Sequence, residues 1–159
     1  MSKNNFEVEI REMIIDDIPS VFHLGEKLFT PQDFPNLYRT WDEYEVVSYF
    51  TNEPELCMVA CIKERVVGFV MGYSVEKARS AWSYGHLVWL GVAEDYQRMG
   101  VAQKLFNRFR DKMEEDRIRI LLIDTQADNL AAIKFFKKQG FSDPTEHVYL
   151  ALNLDESRR

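Results

Sequence analysis

The stretch Trp89-Leu90-Gly91-Val92-Ala93-Glu94-Asp95-Tyr96-Gln97-Arg98-Met99-Gly100-Val101-Ala102 decides how this chain is read. The apolar run from His86 to Val92 predicts a buried strand. A polar turn follows, and an amphipathic helix opens within Gln97–Ala102. Val101, Ala102, Leu105, Phe106, Phe109 and Met113 recur at three- and four-residue spacing on one face of that helix, with Gln103, Lys104, Arg108, Asp111 and Lys112 mostly on the other. A helix that starts at a glycine directly after a strand aims several unpaired N–H groups at one point. Together with the helix dipole they suit a phosphate or pyrophosphate. A side chain at Gly100 would hold such a ligand away from the backbone. Taken alone, such a segment is more often a structural turn than a phosphate cradle, since every α/β protein has strand-to-helix bends. It is neither a P-loop nor a GxGxxG fingerprint.

Outward from this stretch the pattern alternates. Ile118–Ile123 predicts a second buried strand, then a helix from Asn129 through Gln139, capped by Asp128 or Asn129 and ended by Gly140-Phe141. Upstream, Glu7–Met13 reads as a first strand. Asp17 is the expected cap of a helix with Pro19 in its first turn, running to about Phe29. Thr30–Arg39 reads as an ordered loop, and Thr40 with Glu43 as the capping box of a helix through Tyr49. Leu56–Ile62, a Lys63-Glu64-Arg65 turn and Val66–Val75 predict a hairpin. Ala78–Ser83 is a loop, and Glu146–Leu154 alternates enough to be a last strand. The order βααβββαβαβ implies an α/β fold with a mixed sheet and helices on both faces. A ligand in such a sheet sits where neighbouring strands part, at their carboxyl ends.

Composition bounds the rest. A chain of 159 residues fits one domain, 1–159, and 46% hydrophobic with 29% charged residues is ordinary for a soluble globular protein. No apolar run approaches a membrane span, and the first residues do not resemble a signal peptide, so the expectation is a cytoplasmic protein without membrane association. A net charge of −6 argues against a nucleic-acid surface and suits a cationic amine weakly. Cys57 and Cys61 share one predicted strand, roughly 13 Å apart at Cα, which excludes a disulfide within it. Reduced, buried thiols are the simpler reading, and no metal site is expected.

Two segments carry a family resemblance. Gln97, Gly100 and Ala102 occupy the fixed positions of Gln/Arg-x-x-Gly-x-Gly/Ala, the acetyl-CoA pyrophosphate loop of the GNAT N-acetyltransferase superfamily. Asn129, Ala132, Phe135, Gly140 and Phe141 match its Asn-x-x-Ala-x-x-Phe/Leu-Tyr-x-x-x-Gly-Phe pattern, and Phe136 stands where the family has tyrosine. Ile10-Arg11-x-Met13-x-x-x-Asp17 resembles the family's opening. The resemblance implies a mostly antiparallel sheet whose middle strands splay apart, with helices on both faces. It also implies acetyl-CoA as cosubstrate, held by Gln97, Arg98, Met99, Gly100, Val101 and Ala102 at the pyrophosphate, by Leu90 and Val92 along the pantetheine arm, and by Asn129 and Phe136.

The implied activity is acetyl transfer to a primary amine, on a protein N-terminus or a small molecule, directly in a ternary complex; the resemblance also leaves room for a homodimer. Placing the two reactants supplies effective molarities on the order of 10⁵–10⁸ M, whereas one acid or base adds ~10²–10⁴-fold. Phe136 cannot protonate the leaving thiolate as the family tyrosine does. Phe136 reads better as an aromatic lining the cofactor cleft, and Tyr84 and Tyr149 are candidate substitutes. Two residues are candidate bases. Asp124 lies five residues before Asn129, where one protein-acetylating branch carries an acid. His86 lies six before Val92, where another branch has glutamate. Each has a structural alternative, a loop brace for Asp124 and a satisfied strand histidine for His86. Phe29, Phe34, Tyr38, Trp41 and Trp82 line an acceptor pocket or, more simply, fill core. An α-amine, near ~7.7–8.0, needs less help from a base than a lysine near ~10.4. Two other readings stand beside the enzyme: a non-catalytic acyl-CoA-binding module on the same fold, and a nucleotide-binding α/β protein using the same turn.

Overall fold

The computed structural model describes residues 6–29, 40–76 and 82–155. They form two compact units, one ending at Ile123 and one starting at Asp124. The first holds β1 (Glu9–Glu12), α1 (Ile18–Leu28), α2 (Glu43–Asn52), β2 (Cys57–Ile62), β3 (Arg65–Val75), β4 (Tyr84–Val92), α3 (Val101–Glu115) and β5 (Ile120–Leu122). The strands lie in the order β1-β2-β3-β4-β5. All neighbours are antiparallel except β4 and β5, which run parallel. The sheet is therefore mixed and mostly antiparallel, as expected.

Alternation along β3 explains how one sheet serves two helical layers. Phe69 and Met71 point to the α1–α2 side, into a cluster with Val21, Val46, Val59 and Trp89. Gly68 and Gly72 point to the other side and lie under Val101, Leu105 and Phe109 of α3. The apolar face of α3 read from sequence is buried accordingly, with Leu105 and Phe109 wholly inaccessible. Each such side chain contributes about 1.5–3 kcal/mol. Phe29 and Trp41 belong to the first layer: their rings sit 4.8 and 5.0 Å from that of Trp89, and the Trp41 indole N–H donates to the Phe22 carbonyl at 3.0 Å. They fill core, whereas Trp82 is exposed. Phe34 and Tyr38, with nearly all of the Thr30–Arg39 and Ala78–Ser83 loops, lie outside the described residues.

Several local expectations change. The hairpin turn is the two residues Lys63 and Glu64, both at positive φ as a tight right-twisted hairpin requires, so Arg65 joins β3. The α2 cap is Asp42, whose carboxylate accepts from Glu45 N–H at 2.9 Å, in place of a Thr40–Glu43 box. Asp17 does not cap α1. Its backbone is already helical (φ −80°, ψ −19°), which turns its carboxylate away from the next N–H groups. The carboxylate instead takes both guanidinium nitrogens of Arg11, at 2.6 and 2.9 Å, and Ile14 N–H at 2.9 Å. Asp17 thus ties β1 to the entry of α1.

The Arg11 guanidinium holds the Asp17 carboxyl below the usual range against the opposing effect of burial, with the Ile14 N–H assisting. A lowered folded-state pKa gives stability that is present above the unfolded value near ~3.9 and lost as pH falls through the folded one. Asp17→Asn is expected to cost about 1–3 kcal/mol at neutral pH. The gap in melting temperature between parent and variant should narrow progressively as pH falls below about 4; a gap that widens on acidification would contradict the clasp.

In the second unit α4 spans Leu130–Lys138. The expected strand at Glu146–Leu154 does not form. Val148, Leu150 and Leu152 remain highly exposed, and the segment has no ladder partner. Alternation permits a strand, but only pairing makes one.

Candidate active site

Two features of the first unit converge on the end of β4. β4 pairs with β5 only through Tyr84, Gly85 and His86, opposite Ile120, Leu121 and Leu122. From Leu87 onward β5 no longer pairs with it, although β3 still pairs on the inner edge. Ala93 N–H donates to Val67 O at 2.8 Å on the β3 side. By alternation Trp89 and Gly91 face β3, and the peptide groups of Leu90 and Val92 face the β5 side. A register shift between Met71 and Gly72 passes over Val88, a bulge that bends the strand where β5 departs. These are the splayed middle strands between which an extended ligand arm can lie.

At the far end of β4 a short 3-10 turn, Glu94–Tyr96, leads into α3. The Gln97 side-chain amide donates to Val92 O at 3.0 Å. Gln97 therefore braces the strand exit, a role its place in the motif did not reveal. Arg98 and Gly100 both have positive φ, 62° and 82°. Left-handed residues in such a turn gather N–H groups into an anion-binding concavity. The first bond within α3 runs from Lys104 N–H to Gly100 O at 3.1 Å, so the N–H groups of the first helical turn point outward along the helix axis. No side chain caps this end and no acidic residue occupies its first turn. The helix start has the chemistry of an oxyanion cradle. Open space surrounds Gly100, with no atom within 4 Å of a hypothetical Cβ, so its glycine is demanded by the φ value rather than by crowding.

His86 stands at the other end, as the last residue of β4 still paired with β5. Its Nδ1 lies 3.0 Å from the Tyr73 hydroxyl, directly across the β3–β4 ladder. Tyr49 of α2 stacks on Tyr73 at 6.5 Å. Sequence reading missed Tyr73, because only the register of two strands puts it opposite His86. Tyr84, considered as a substitute acid, lies two residues before His86 on the same strand face. Cys57 and Cys61 are free and buried, and burial pushes the Cys57 thiol up to about 12, so neither supplies a thiolate at neutral pH. Among the described residues no group of three or more His, Cys, Asp or Glu side chains is arranged to hold a metal ion, and no helix is long and apolar enough to cross a membrane.

Asp124, Asn129 and Phe136 belong to the second unit. Asp124 is half-buried just past β5. Asn129 is the α4 cap: its carbonyl oxygen accepts from Ala132 N–H at 3.2 Å and its amide donates to Thr125 at 3.1 Å. Phe136 is buried at the C-terminal end of α4. Gly140, at φ 102°, donates to Lys137 O, and Phe141 N–H donates to Phe136 O at 3.2 Å. The Phe136 and Phe141 rings meet edge-on at 5.4 Å. That pairing of two backbone bonds with an apolar contact is a complete Schellman stop. The family-type Gly-Phe ending is thereby explained as helix termination, and Tyr149, the other substitute acid, lies half-exposed beyond it.

Comparisons with known proteins agree with this geometry. Residues 19–141 match the model of the acetyltransferase (GNAT) family. The chain is 29% identical over 97 residues to N-alpha-acetyltransferase 30 of Schizosaccharomyces pombe, covering 60% of this chain and 64% of that protein. It is 30% identical over 115 residues to the N-terminal acetyltransferase B complex catalytic subunit NAA20 of Arabidopsis thaliana, covering 71% and 65%. It thus spans just under two thirds of the length of both. The solved structure of Ard1 from Thermoplasma volcanium superposes with a TM-score of 0.73 at 26% identity, covering 87% of this chain and 84% of that one. With the family model matched across most of its length, and with strands that part beside an uncapped helix start, the chain belongs to the acetyltransferase (GNAT) family.

Proposed function

We propose that this chain is an acetyl-CoA-dependent N-acetyltransferase that moves the acetyl group directly to a primary amine in a ternary complex. The observation that carries this reading is the parting of β4 from β5 after His86, followed by the start of α3, which no side chain caps. In this reading the N–H groups of Arg98–Ala102 hold the pyrophosphate of acetyl-CoA, and Leu90 and Val92 pair with the pantetheine arm. Asn129 and Phe136 are the cofactor contacts that the motif resemblance implies, and residues 1–159 act as one domain. The family match supports that last point by running through both compact units. The relatives named for N-terminal acetylation favour an α-amine, which needs the weaker base. We place the protein in the cytoplasm, acting on protein N-termini or small amines and not on nucleic acid or membranes.

His86 is the first candidate base because it stands where β4 and β5 part; Asp124 is the second. The amine nitrogen attacks the thioester carbonyl, the C–N bond forms, and the C–S bond breaks. The amine proton passes to the base and then to the departing CoA thiolate, so no separate acid is needed where the family tyrosine is replaced by Phe136.

Release of free CoA thiol across a panel of amines and N-terminal peptides tests the function. Thiol release with an N-acetylated product supports it, and CoA binding with no turnover on any amine points to the non-catalytic module. His86→Gln should lower kcat by about 10²-fold, within the range of a lost general base, with unchanged acetyl-CoA affinity. Asp124→Asn should show that pattern instead if the carboxylate takes the proton.

A further inference from the structure

We propose that Val88 and Trp89, the two residues of the β4 bulge, set the size of the transferred acyl group and limit it to acetyl. This inference rests on the acetyl-transfer reading above. In that reading the pantetheine arm leaves the start of α3 and pairs with Val92 and Leu90, so it runs back along β4. It meets a fork at His86, the last residue of β4 that pairs with β5. Beyond the fork β5 takes the backbone groups that the arm would need. The thioester end therefore stops beside Leu87 and Val88, and the acyl group must turn toward one face of the sheet.

Buried side chains occupy both faces at this point. On the α3 side, Gly72 lies under the Phe109 ring and Gly85 under Met113, and both α3 side chains are buried. On the α1–α2 side the bulge decides. Trp89 pairs with Met71 and Leu87 with Gly72, so Val88 is the extra residue. In a regular strand Val88 and Trp89 would point to opposite faces. Here both join the core cluster that holds Met71, Val21 and Val46. They are only 7% and 5% exposed. Trp89 is fixed in place: the rings of Phe29 and Trp41 lie 4.8 and 5.0 Å away, and its indole N–H donates to the Glu45 carboxylate at 2.7 Å. Interiors packed in this way do not yield to an added methylene, which a hydrophobic pocket rejects by roughly 10–200-fold.

Thiol release with one amine acceptor, compared across acetyl-, propionyl- and butyryl-CoA, tests the assignment. In the parent, kcat/KM should fall about 10-fold at propionyl and about 100-fold at butyryl. Val88→Ala removes two methyl groups beside the fork and should raise the butyryl-to-acetyl ratio about 10-fold. Trp89→Phe opens the neighbouring position and should move the ratio the same way. Val59→Ala, in the same core cluster but on β2, should leave the ratio as it is, which separates a size limit from a general loosening of the core. Equal kcat/KM for acetyl- and butyryl-CoA in the parent, or a ratio unmoved in both Val88→Ala and Trp89→Phe, would overturn the proposal and leave acetyl transfer standing. Should no acyl-CoA support turnover with any amine, it is the activity reading that fails. Titration calorimetry then decides the size limit separately: equal affinity of the parent for acetyl- and butyryl-CoA refutes it.

Discussion

Gly100→Glu is expected to weaken acetyl-CoA binding by at least about 100-fold, about 2.7 kcal/mol, while the protein stays folded. Two effects act at this position and they can be separated. Any side chain there must adopt φ 82°, which costs roughly 1–2 kcal/mol for an L-residue. No atom lies within 4 Å of the new Cβ, so packing adds nothing. That strain corresponds to a loss of only a few degrees in melting temperature. The carboxylate acts on the ligand instead. It places a like charge at the point where the Val101, Ala102 and Gln103 N–H groups and the helix dipole favour an anion. Gly100→Ala carries the same strain without the charge and should keep most of the affinity. Titration calorimetry with acetyl-CoA on both variants checks this. Parent-like affinity in Gly100→Glu would remove the pyrophosphate from this helix start.

How much of this was legible in the sequence depends on how local each feature is. The strand–turn–helix at 86–113 and the helix ending in Gly140-Phe141 depend on neighbours within a few residues, and both form where the spacing put them. The motif positions lie at the turn between β4 and α3, where Gln97 braces Val92 O. Pairing was not legible. That β4 leaves β5 after His86, that Val88 is skipped in the ladder, and that Tyr73 faces His86 all depend on register, which no single strand contains. The caps failed for the same reason at a smaller scale. Asp17 has a good cap residue's chemistry, but Arg11 on a different element competes for its carboxylate and wins with two charge-assisted bonds. The alternation at 146–154 names a strand without naming its neighbour, and no strand forms there.

Gly72→Ala is expected to be the most damaging single methyl added to the sheet, and the comparison with Gly85→Ala isolates why. Both glycines face α3 from adjacent strands. A Cβ on Gly72 would lie 2.2 Å from the His86 carbonyl oxygen and 2.7 Å from the tip of the Phe109 ring. The carbonyl is part of the β3–β4 ladder and Phe109 is wholly buried, so neither yields without moving backbone or repacking α3. Overpacking of this kind costs about 1–3 kcal/mol or more, a large share of the roughly 5–15 kcal/mol that holds a domain together. A Cβ on Gly85 would meet the end of Met113, at 2.4 Å from its methyl carbon and 2.6 Å from its sulfur. That thioether has three rotatable bonds and can swing aside. Gly85→Ala should therefore melt within a few degrees of the parent, whereas Gly72→Ala should melt far lower or fail to accumulate. Because the displaced carbonyl belongs to His86, Gly72→Ala protein that does fold should also lose turnover out of proportion to its stability. Equal melting temperatures for the two variants would show that the bulge beside Met71 and Gly72 relaxes freely, and that it does not hold His86 in place.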